Sequence, residues 1–422
     1  MATPTRSGRS GFARDPEPSR PAGPGVTQEE TRRRNLGAVL RHIHVHGPTS
    51  RAELTSWLGL NRSTIGALAA DLASAGLVTE EAPSSGRRAG RPSLVVSPRS
   101  DHVYAHALSV EADRLRAARV GLGGRILDLR EVDRPDGMSA VDALGPLIGL
   151  IHDMERSVAS GALLVGGAVA VTDTARDRDG RIRIGGPDET LRAAIEAELT
   201  VGPGFVAGDL ADIAAVAEHV RGAAAGVDSL VYLHGGLGVS AGIIIGGRSV
   251  AGHRGHGGKV GHMVVNRDGL LCGCGSHGCW ETEIGEAALL RHAGRESGGP
   301  AAVVEVLRAA GSGEPTAGAA VRQVADWLGF GVANLVNVVN PDAVVFGGSL
   351  RDLYTVGADT VRRRLDAMVL PAFREHVRLR VAALGRDAVL VGAAELAFGR
   401  LLADPLNVGV AAPTGDGVVP AR

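Results

Sequence analysis

Apolar residues recur at helical spacing in three short stretches of the first hundred residues, and each stretch begins at a residue suited to a helix N-terminus. Thr27 and Glu30 have the spacing of a capping box, and so do Ser50 and Glu53. Asn61 is a favourable cap for the third stretch. The apolar positions are Leu36, Val39, Leu40 and Ile43, then Leu54 and Leu58, then Ile65, Leu68, Ala69 and Leu72. This pattern predicts three helices.

A basic hairpin is predicted after the third helix. Residues 77–79 and 94–96 are short runs typical of strands, and a loop rich in glycine and arginine at 86–92 joins them. Three short helices followed by such a hairpin predict a winged helix-turn-helix DNA-binding domain over residues 27–97. The alternative interpretation is a small helical subdomain with no role in DNA binding.

The start of the third helix carries the candidate DNA-reading side chains. In a helix-turn-helix, the first residues of the recognition helix meet base edges in the major groove. Arginine pairs with guanine through two hydrogen bonds, and serine or threonine contacts bases or phosphates. The candidates are Arg62, Ser63, Thr64 and Ala67 in the helix, and Arg87, Arg88 and Arg91 in the wing. The wing arginines suit phosphate neutralisation or a narrow minor groove, although a solvated loop explains such a charge run equally well.

Beyond residue 100, apolar runs alternate with helical patterns, which is typical of an α/β fold. The apolar runs are 165–171, 230–233 and 343–346, and the helical patterns are 210–223, 283–293, 316–339 and 356–370. Their extent predicts a two-lobed domain over residues 100–403, because a single core rarely grows so large. The segments 1–26 and 404–422 lack apolar periodicity, so we expect a disordered tail at the first and a flexible tail at the second.

Composition agrees with a globular protein, since 44% of the 422 residues are hydrophobic and 22% are charged. No run approaches the ~18 apolar residues of a membrane-spanning helix, and the N-terminus lacks the apolar segment of a secretory signal. We therefore expect a cytoplasmic protein without membrane contact. The net charge of −1 conceals an uneven distribution, because residues 1–100 hold 14 arginines against 8 acidic residues. A basic N-terminal module on an acidic body favours a polyanion such as double-stranded DNA as the partner.

The three cysteines of the chain, Cys272, Cys274 and Cys279, lie within eight residues. An odd number packed so tightly does not form a disulfide framework and instead predicts a metal site. Three cysteines and one histidine are the ligand set of a closed, four-coordinate zinc centre. The spacing leaves two histidines open as the fourth ligand, His262 and His277.

A Gly-His pair at 261–262, followed by the pattern Cys-x-Cys-Gly-x-x-Gly-Cys-x-Glu at 272–281, resembles the ROK family of repressors, open reading frames and kinases. The glycine-rich stretch 235–242 and the stretch 334–348, from Asn-Leu-Val-Asn to Gly-Gly, add to the resemblance, which covers about residues 30–403. The resemblance implies an actin-like sugar-kinase fold of two lobes. In the regulator branch of the family, an N-terminal winged helix-turn-helix precedes these lobes.

The resemblance also implies the metal ligands. His262 occupies the position of the family's zinc-binding histidine, which favours it over His277. One structural zinc ion per chain is then expected, held by His262, Cys272, Cys274 and Cys279.

Kinase activity is not expected. The resemblance places the family's catalytic aspartate at Leu210, whose side chain cannot accept a proton. Asp209 or Asp212 would replace it only if the backbone shifted. The family's phosphate loop also loses its pattern, because acidic residues that repel a triphosphate stand in it. The residues in that loop are Ser109, Glu111 and Asp113. The rival interpretation is a sugar kinase with an accessory N-terminal domain.

The family's sugar-binding positions correspond here to Asp209, Leu210, Lys259, His262 and Glu281. His262 and Glu281 match the family, Asp209 stands in place of an asparagine, and Lys259 stands in place of a glutamate. Lys259 is the single lysine in the sequence and reverses the charge at its position. Two interpretations are open: Lys259 binds an acidic sugar or a sugar phosphate, or it pairs with Glu281 or Asp209 in a pocket that has lost its ligand. The ligand-binding candidates are Asp209, Lys259, His262 and Glu281.

These features predict a DNA-binding transcriptional regulator, a repressor in carbohydrate metabolism, whose kinase-derived domain binds a sugar or sugar derivative. We expect a homodimer or a dimer of dimers, in which an effector changes the spacing of two recognition helices on double-stranded DNA. Two alternatives remain: a sugar kinase that transfers phosphate from ATP to a hexose, and a regulator that has lost its ligand.

Overall fold

The computed structural model describes the chain between Thr27 and Asn407. The described ranges are 27–83, 93–139, 142–172, 174–176, 182–184, 204–295 and 298–407. The predicted tail at 1–26, the greater part of the tail at 404–422 and the predicted wing loop lie outside these ranges. No helix within them combines the length and the hydropathy needed to cross a membrane.

The first part of the structure is a three-helix unit with a small antiparallel sheet. The helices are α1 Gln28–His46, α2 Arg51–Leu58 and α3 Arg62–Ser74, and the strands are β1 Thr49–Ser50, β2 Val78–Glu81 and β3 Val95–Pro98. Strand β3 lies between β1 and β2 and is antiparallel to both. Apart from the short strand β1, which was not predicted, helices and strands follow the order predicted for a winged helix-turn-helix.

Local caps decide where these helices begin. The backbone N–H of Glu30 donates to Thr27 Oγ1 at 3.1 Å, and the N–H of Thr27 donates to the Glu30 carboxylate at 2.8 Å. Ser50 and Glu53 form the same capping box at α2, and the side chain of Asn61 caps α3. Because each cap gives a partner to otherwise unpaired N–H groups, the sequence was sufficient to predict these helix starts.

The rest of the chain forms two α/β lobes, each built on a five-stranded sheet. The first lobe contains β4 Val103–Val110, β5 Arg114–Gly121, β6 Ile126–Asp133, β7 Leu163–Val171 and β10 Phe205–Asp209. A separate antiparallel pair, β8 Thr174–Arg176 and β9 Ile182–Ile184, lies between β7 and β10 in the sequence. The second lobe contains β11 Leu230–Gly235, β12 Val239–Ile245, β13 Arg248–Ser249, β14 Ala343–Gly348 and β15 Arg378–Val381. The strand orders are β10-β7-β4-β5-β6 and β13-β12-β11-β14-β15. In each sheet two neighbouring pairs are parallel and two are antiparallel, in the same order when read from β6 and from β13, so the lobes repeat one topology.

Helices cover these sheets. They are α4 Leu144–Glu155, α5 Leu210–Val220, α6 Trp280–Ile284, α7 Glu286–His292, α8 Gly299–Gly311, α9 Pro315–Val339, α10 Ser349–Met368, α11 Pro371–Arg374 and α12 Ala388–Ala403. Four helices, α4, α8, α11 and α12, were not predicted, and two of the four predicted helices differ from those observed. The pattern at 283–293 is split between α6 and α7, because the backbone is extended at Gly285. The pattern at 356–370 belongs to α10, which starts earlier, directly after the turn at Gly348.

Helices α1 and α12 join the winged helix to the first lobe. The buried residues of α1 and α3 belong to the same hydrophobic core as those of α5 and α12. A Cβ atom at Gly37 of α1 would lie 2.6 Å from the carbonyl oxygen of Leu402, so glycine permits this close approach. A second core, which includes Trp280, lies within the second lobe. The three-helix unit is therefore packed directly on the body of the protein.

Candidate metal centre, effector pocket and DNA-binding face

Four side chains of the second lobe converge as the sequence predicted. The ligand atoms of His262, Cys272, Cys274 and Cys279 all lie within 4.8 Å of one another. Cys274 Sγ is 3.5 Å from Cys279 Sγ, and Cys272 Sγ is 3.7 Å from His262 Nδ1. In a tetrahedron with metal–sulfur bonds of ~2.3 Å, neighbouring sulfur atoms lie about 3.8 Å apart. The residues present therefore fit one four-coordinate zinc ion.

The loop that carries the cysteines folds back on itself by close backbone contacts. The N–H of Cys272 donates to the carbonyl of Ser276 at 2.7 Å. Gly278 has a φ of 66°, and a Cβ atom there would lie 1.5 Å from the carbonyl oxygen of Asn266, so this position requires glycine. His277 is exposed and lies outside the converging group. The structure thus brings His262 to the cysteines.

The residues after the last cysteine place a carboxylate beside the metal cluster. Trp280 is fully buried, and its Nε1–H donates to the carbonyl of Trp327 at 2.8 Å. Glu281 follows it, and its Oε1 lies 3.7 Å from His262 Nδ1. The backbone N–H of Val239 donates to the other carboxylate oxygen of Glu281 at 3.4 Å. Burial of the indole therefore fixes the loop so that Glu281 lies beside His262.

Lys259 forms an ion pair with a buried aspartate at the start of α5. Its Nζ lies 2.6 Å from Oδ2 of Asp209, whose side chain is 4% exposed. The other oxygen of Asp209 accepts the N–H of Ala211 at 2.9 Å and caps α5. Of the partners considered from sequence, Lys259 thus pairs with Asp209. The lysine charge is already matched within the protein.

Asp212 is a further acidic group beside this pair. Burial first, and then the neighbouring carboxylate of Asp209, raise the pKa of Asp212 to about 7, with Lys259 opposing. Its Oδ1 is buried and has no hydrogen-bond partner within the described part of the chain. The sequence signal for its proximity is its position one helical turn after Asp209. Two aspartates therefore lie close to the one lysine.

The two positions that argued against kinase activity lie in the first lobe. Leu210 is buried in the hydrophobic core, so the carboxylate that begins α5 is that of Asp209. Ser109 in β4 donates its Oγ–H to Glu111 in the following turn at 2.8 Å, and Nη1 of Arg116 in β5 lies 3.7 Å from the same carboxylate. Burial raises the pKa of Glu111, although Ser109 and Arg116 oppose this. An acidic side chain with its own partners thus occupies the predicted phosphate loop.

The candidate DNA-reading residues of α3 lie on its outer side. Arg62, Ser63 and Ala67 are exposed and Thr64 is half-buried. The opposite side of α3 is buried against the other helices of the unit. The wing candidates lie outside the described residues; they are Arg87, Arg88 and Arg91. The described part of the predicted recognition surface is therefore open to solvent.

Comparison with known proteins adds to this geometry. The model of the ROK family matches residues 107–400, well over half of the chain. The chain belongs to the ROK family. The family prediction made from the motifs at 261–262 and 272–281 is therefore confirmed.

Two curated regulators are similar to this ROK protein over most of their length. The xylose repressor of Bacillus subtilis (strain 168) is 26% identical over 375 residues, 87% of this chain and 96% of the repressor. The DNA-binding transcriptional dual regulator NagC of Escherichia coli (strain K12) is 26% identical over 363 residues, 81% of this chain and 87% of NagC. A glucokinase of Streptomyces coelicolor is 34% identical over 227 residues, which are 50% of this chain and 71% of the kinase. The regulators thus match far more of this ROK protein than the kinase does.

Solved structures give the same picture of the fold. A ROK family transcriptional regulator, a homolog of the E. coli MLC protein, superimposes with a TM-score of 0.69 at 22% identity, covering 89% of this chain and 98% of that one. A ROK glucokinase from Streptomyces griseus, in complex with glucose and AMPPNP, superimposes with a TM-score of 0.56 at 28% identity, covering 69% and 98%. The predicted fold, a winged helix-turn-helix before a two-lobed actin-like domain, is confirmed.

Proposed function

We propose that this ROK protein is a DNA-binding transcriptional regulator, a repressor in carbohydrate metabolism, and not a sugar kinase. One observation carries the proposal: the xylose repressor and NagC align with 87% and 81% of the chain, whereas the glucokinase aligns with 50%. The winged helix-turn-helix, packed on the first lobe, supports the same function. A regulator of this kind works in the cytoplasm, where cysteines stay reduced and available to zinc.

The winged helix binds double-stranded DNA through α3 and the wing. Arg62 and Ser63 at the exposed start of α3 lie where a recognition helix meets base edges. The seven candidates proposed for this surface are Arg62, Ser63, Thr64, Ala67, Arg87, Arg88 and Arg91. In a homodimer or a dimer of dimers, two such helices read two half-sites, and their spacing determines affinity for the operator.

The kinase-derived body is the effector domain. A sugar or sugar derivative would be bound in the pocket between Asp209, Lys259, His262 and Glu281. Because Lys259 already pairs with Asp209, a ligand must supply groups that replace this pair. An effector that binds one arrangement of the lobes more tightly shifts the population towards it and changes DNA affinity.

The metal cluster (His262, Cys272, Cys274 and Cys279) holds one structural zinc ion per chain. Three thiolates and one imidazole fill a tetrahedral shell, which leaves no position for an activated water molecule. When bound, the metal supplies local folding energy. The chain's own contribution is to place Glu281 beside His262 through the buried indole of Trp280.

Arg62→Ala is expected to weaken binding to the preferred DNA sequence by about 1–3 kcal/mol, because one bidentate contact with a base is lost. The preferred sequence is first selected from a random pool of duplexes with the wild-type protein. Fluorescence anisotropy then measures the affinity of each variant at several salt concentrations, since phosphate contacts make affinity fall with salt.

Arg267→Ala is the charge-matched control for Arg62→Ala, since the Arg267 side chain is 89% exposed and lies in the second lobe. It is expected to leave DNA affinity and sequence preference unchanged. If Arg62→Ala also leaves both unchanged, Arg62 does not read a base. If the wild-type protein selects no DNA sequence, the proposed function is wrong.

Purified protein given ATP, Mg²⁺ and a panel of hexoses is expected to show no turnover above background. The acidic Glu111 in the phosphate loop disfavours a triphosphate, and the Asp209 carboxylate is bound by Lys259. A coupled assay for ADP release measures this directly. Sugar-dependent ADP release would support the kinase alternative, and its loss in Asp209→Asn would identify that carboxylate as the base.

A further inference from the structure

A buried polar cluster lies where the winged helix meets the first lobe. His44 of α1 is 0% exposed, and its Nδ1 accepts the backbone N–H of Gly123 at 2.9 Å. The other ring nitrogen, Nε2, lies 3.0 Å from the carboxylate of Glu395 in α12. Because Nδ1 accepts, the proton is on Nε2, which donates to Glu395. His44 is therefore neutral, and its pKa is lowered mainly by burial.

Arg221 completes this cluster from the end of α5. Its Nε donates to Glu395 at 2.6 Å, and its Nη1 donates to the carbonyl of Val45 in α1 at 3.4 Å. The side chains of Arg221 and Glu395 are 12% and 6% exposed. Burial opposes the charge on Glu395, but hydrogen bonds from His44 and Arg221 and the charge of Arg221 keep its pKa below the ordinary value. We call His44, Arg221 and Glu395 the junction cluster.

The junction cluster adds hydrogen bonds, which depend on direction, to an otherwise apolar contact. Around it, α1 and α12 pack through hydrophobic side chains, and the ring of Phe398 lies 5.0 Å from that of His44. Apolar packing tolerates small rotations, whereas buried hydrogen bonds lose their partners when the geometry changes. The orientation of the winged helix on the lobe is therefore set by the polar contacts.

Helix α5 links this junction to the effector pocket. Its first turn is capped by Asp209, which is held by Lys259 from the second lobe. Arg221 is the C-cap residue of α5 and belongs to the junction cluster. Eleven residues of α-helix span about 16 Å and behave as a stiff rod. Both ends are tied by buried charges, so a displacement of Asp209 is transmitted to Arg221.

We propose that the junction cluster positions the DNA-binding domain, and that α5 couples its geometry to the Lys259–Asp209 pair in the effector pocket. This inference rests on the proposed function in DNA binding. His44, Arg221 and Glu395 are then positioning residues, since none of them lies on the DNA-binding face. A ligand that separates Lys259 from Asp209 changes DNA affinity through α5.

A double-mutant cycle tests the coupling without knowledge of the effector. DNA affinity is measured for the full-length wild type, Lys259→Met, Arg221→Met and the double variant on the duplex selected by the wild type. Lys259→Met leaves the buried Asp209 without its cation and is expected to change Kd at least ~5-fold. In the Arg221→Met background, the same change is expected to alter Kd less than ~2-fold. Arg267→Met is the control for loss of an exposed charge, with Kd unchanged in both backgrounds.

His44→Gln keeps the proposal testable if Arg221→Met fails to fold, because the Arg221–Glu395 pair remains intact. It is expected to reduce the effect of Lys259→Met on Kd in the same way. Hydrogen exchange gives a readout independent of DNA: Lys259→Met is expected to speed amide exchange at the C-terminal end of α1 and not at α9. If the fold-changes in Kd of the single variants simply multiply in the double variant, the coupling is wrong. The same holds if amide exchange at α1 is unchanged in Lys259→Met. Both results leave DNA binding established. A wild type that binds no DNA would overturn both proposals.

Discussion

Cys272→Ser is expected to abolish stoichiometric zinc binding and to lower the temperature of the first thermal transition by on the order of 10 °C. The cysteine loop has little apolar contact of its own apart from Trp280, so the metal replaces a core there. Metal analysis of purified protein measures the first effect, and calorimetry with and without a chelator measures the second. Chelation of the wild type is expected to reproduce the melting temperature of the variant.

The two histidines discriminate between the ligand sets that the spacing left open. His262→Ala is expected to lose zinc, since His262 Nδ1 lies 3.7 Å from Cys272 Sγ. His277→Ala is expected to retain it, because His277 is exposed and outside the cluster. Equal zinc loss from both variants, or wild-type protein without zinc, would contradict the assignment.

Glu218→Ala is expected to lower the free energy of unfolding by about 3–5 kcal/mol. Glu218 in α5 is 0% exposed, and its carboxylate accepts the N–H groups of Ala223 at 2.6 Å, Ala383 at 3.1 Å and Leu384 at 2.8 Å. The last two belong to the segment that passes from β15 of the second lobe to α12. Removal of the carboxylate leaves three N–H groups without this acceptor, each at a desolvation cost. Urea unfolding followed by circular dichroism measures the loss.

Glu218→Gln is the matched control for this prediction. When the side-chain amide oxygen of the glutamine takes the position of Oε2, it still accepts two of the three N–H groups. Its loss of stability is therefore expected to be clearly smaller than that of Glu218→Ala. If the two variants are equally stable, or if both match the wild type, the hydrogen bonds of Glu218 do not hold this crossing segment.

Features that depend on near neighbours in the sequence were predictable. The capping boxes at Thr27 and Ser50 and the cysteine loop involve residues within a few positions of one another. The split at Gly285 was missed, because apolar spacing continues across it while the backbone becomes extended. Periodicity reports which side chains are buried, and it does not report a change of helix direction.

Contacts between distant segments were not predictable in the same way. Sequence left Lys259 with two candidate partners, and tertiary packing decided for Asp209, fifty positions away. The approach of His44 to Glu395 spans 351 positions and had no sequence signal beyond a polar residue beside the apolar Ile43. Such pairs are fixed by the path of the whole chain.

The packing of α1 against α12 also has a consequence for biosynthesis. Helix α1 buries part of its apolar surface against α12, and the partner of His44 in α12 is synthesised 351 residues later. At ~5–20 residues per second, this interval is about 20–70 s. During that time the apolar side chains of α1 lack the part of their core that α12 supplies. We therefore expect chaperones that hold exposed hydrophobic helices to bind the nascent chain of this regulator.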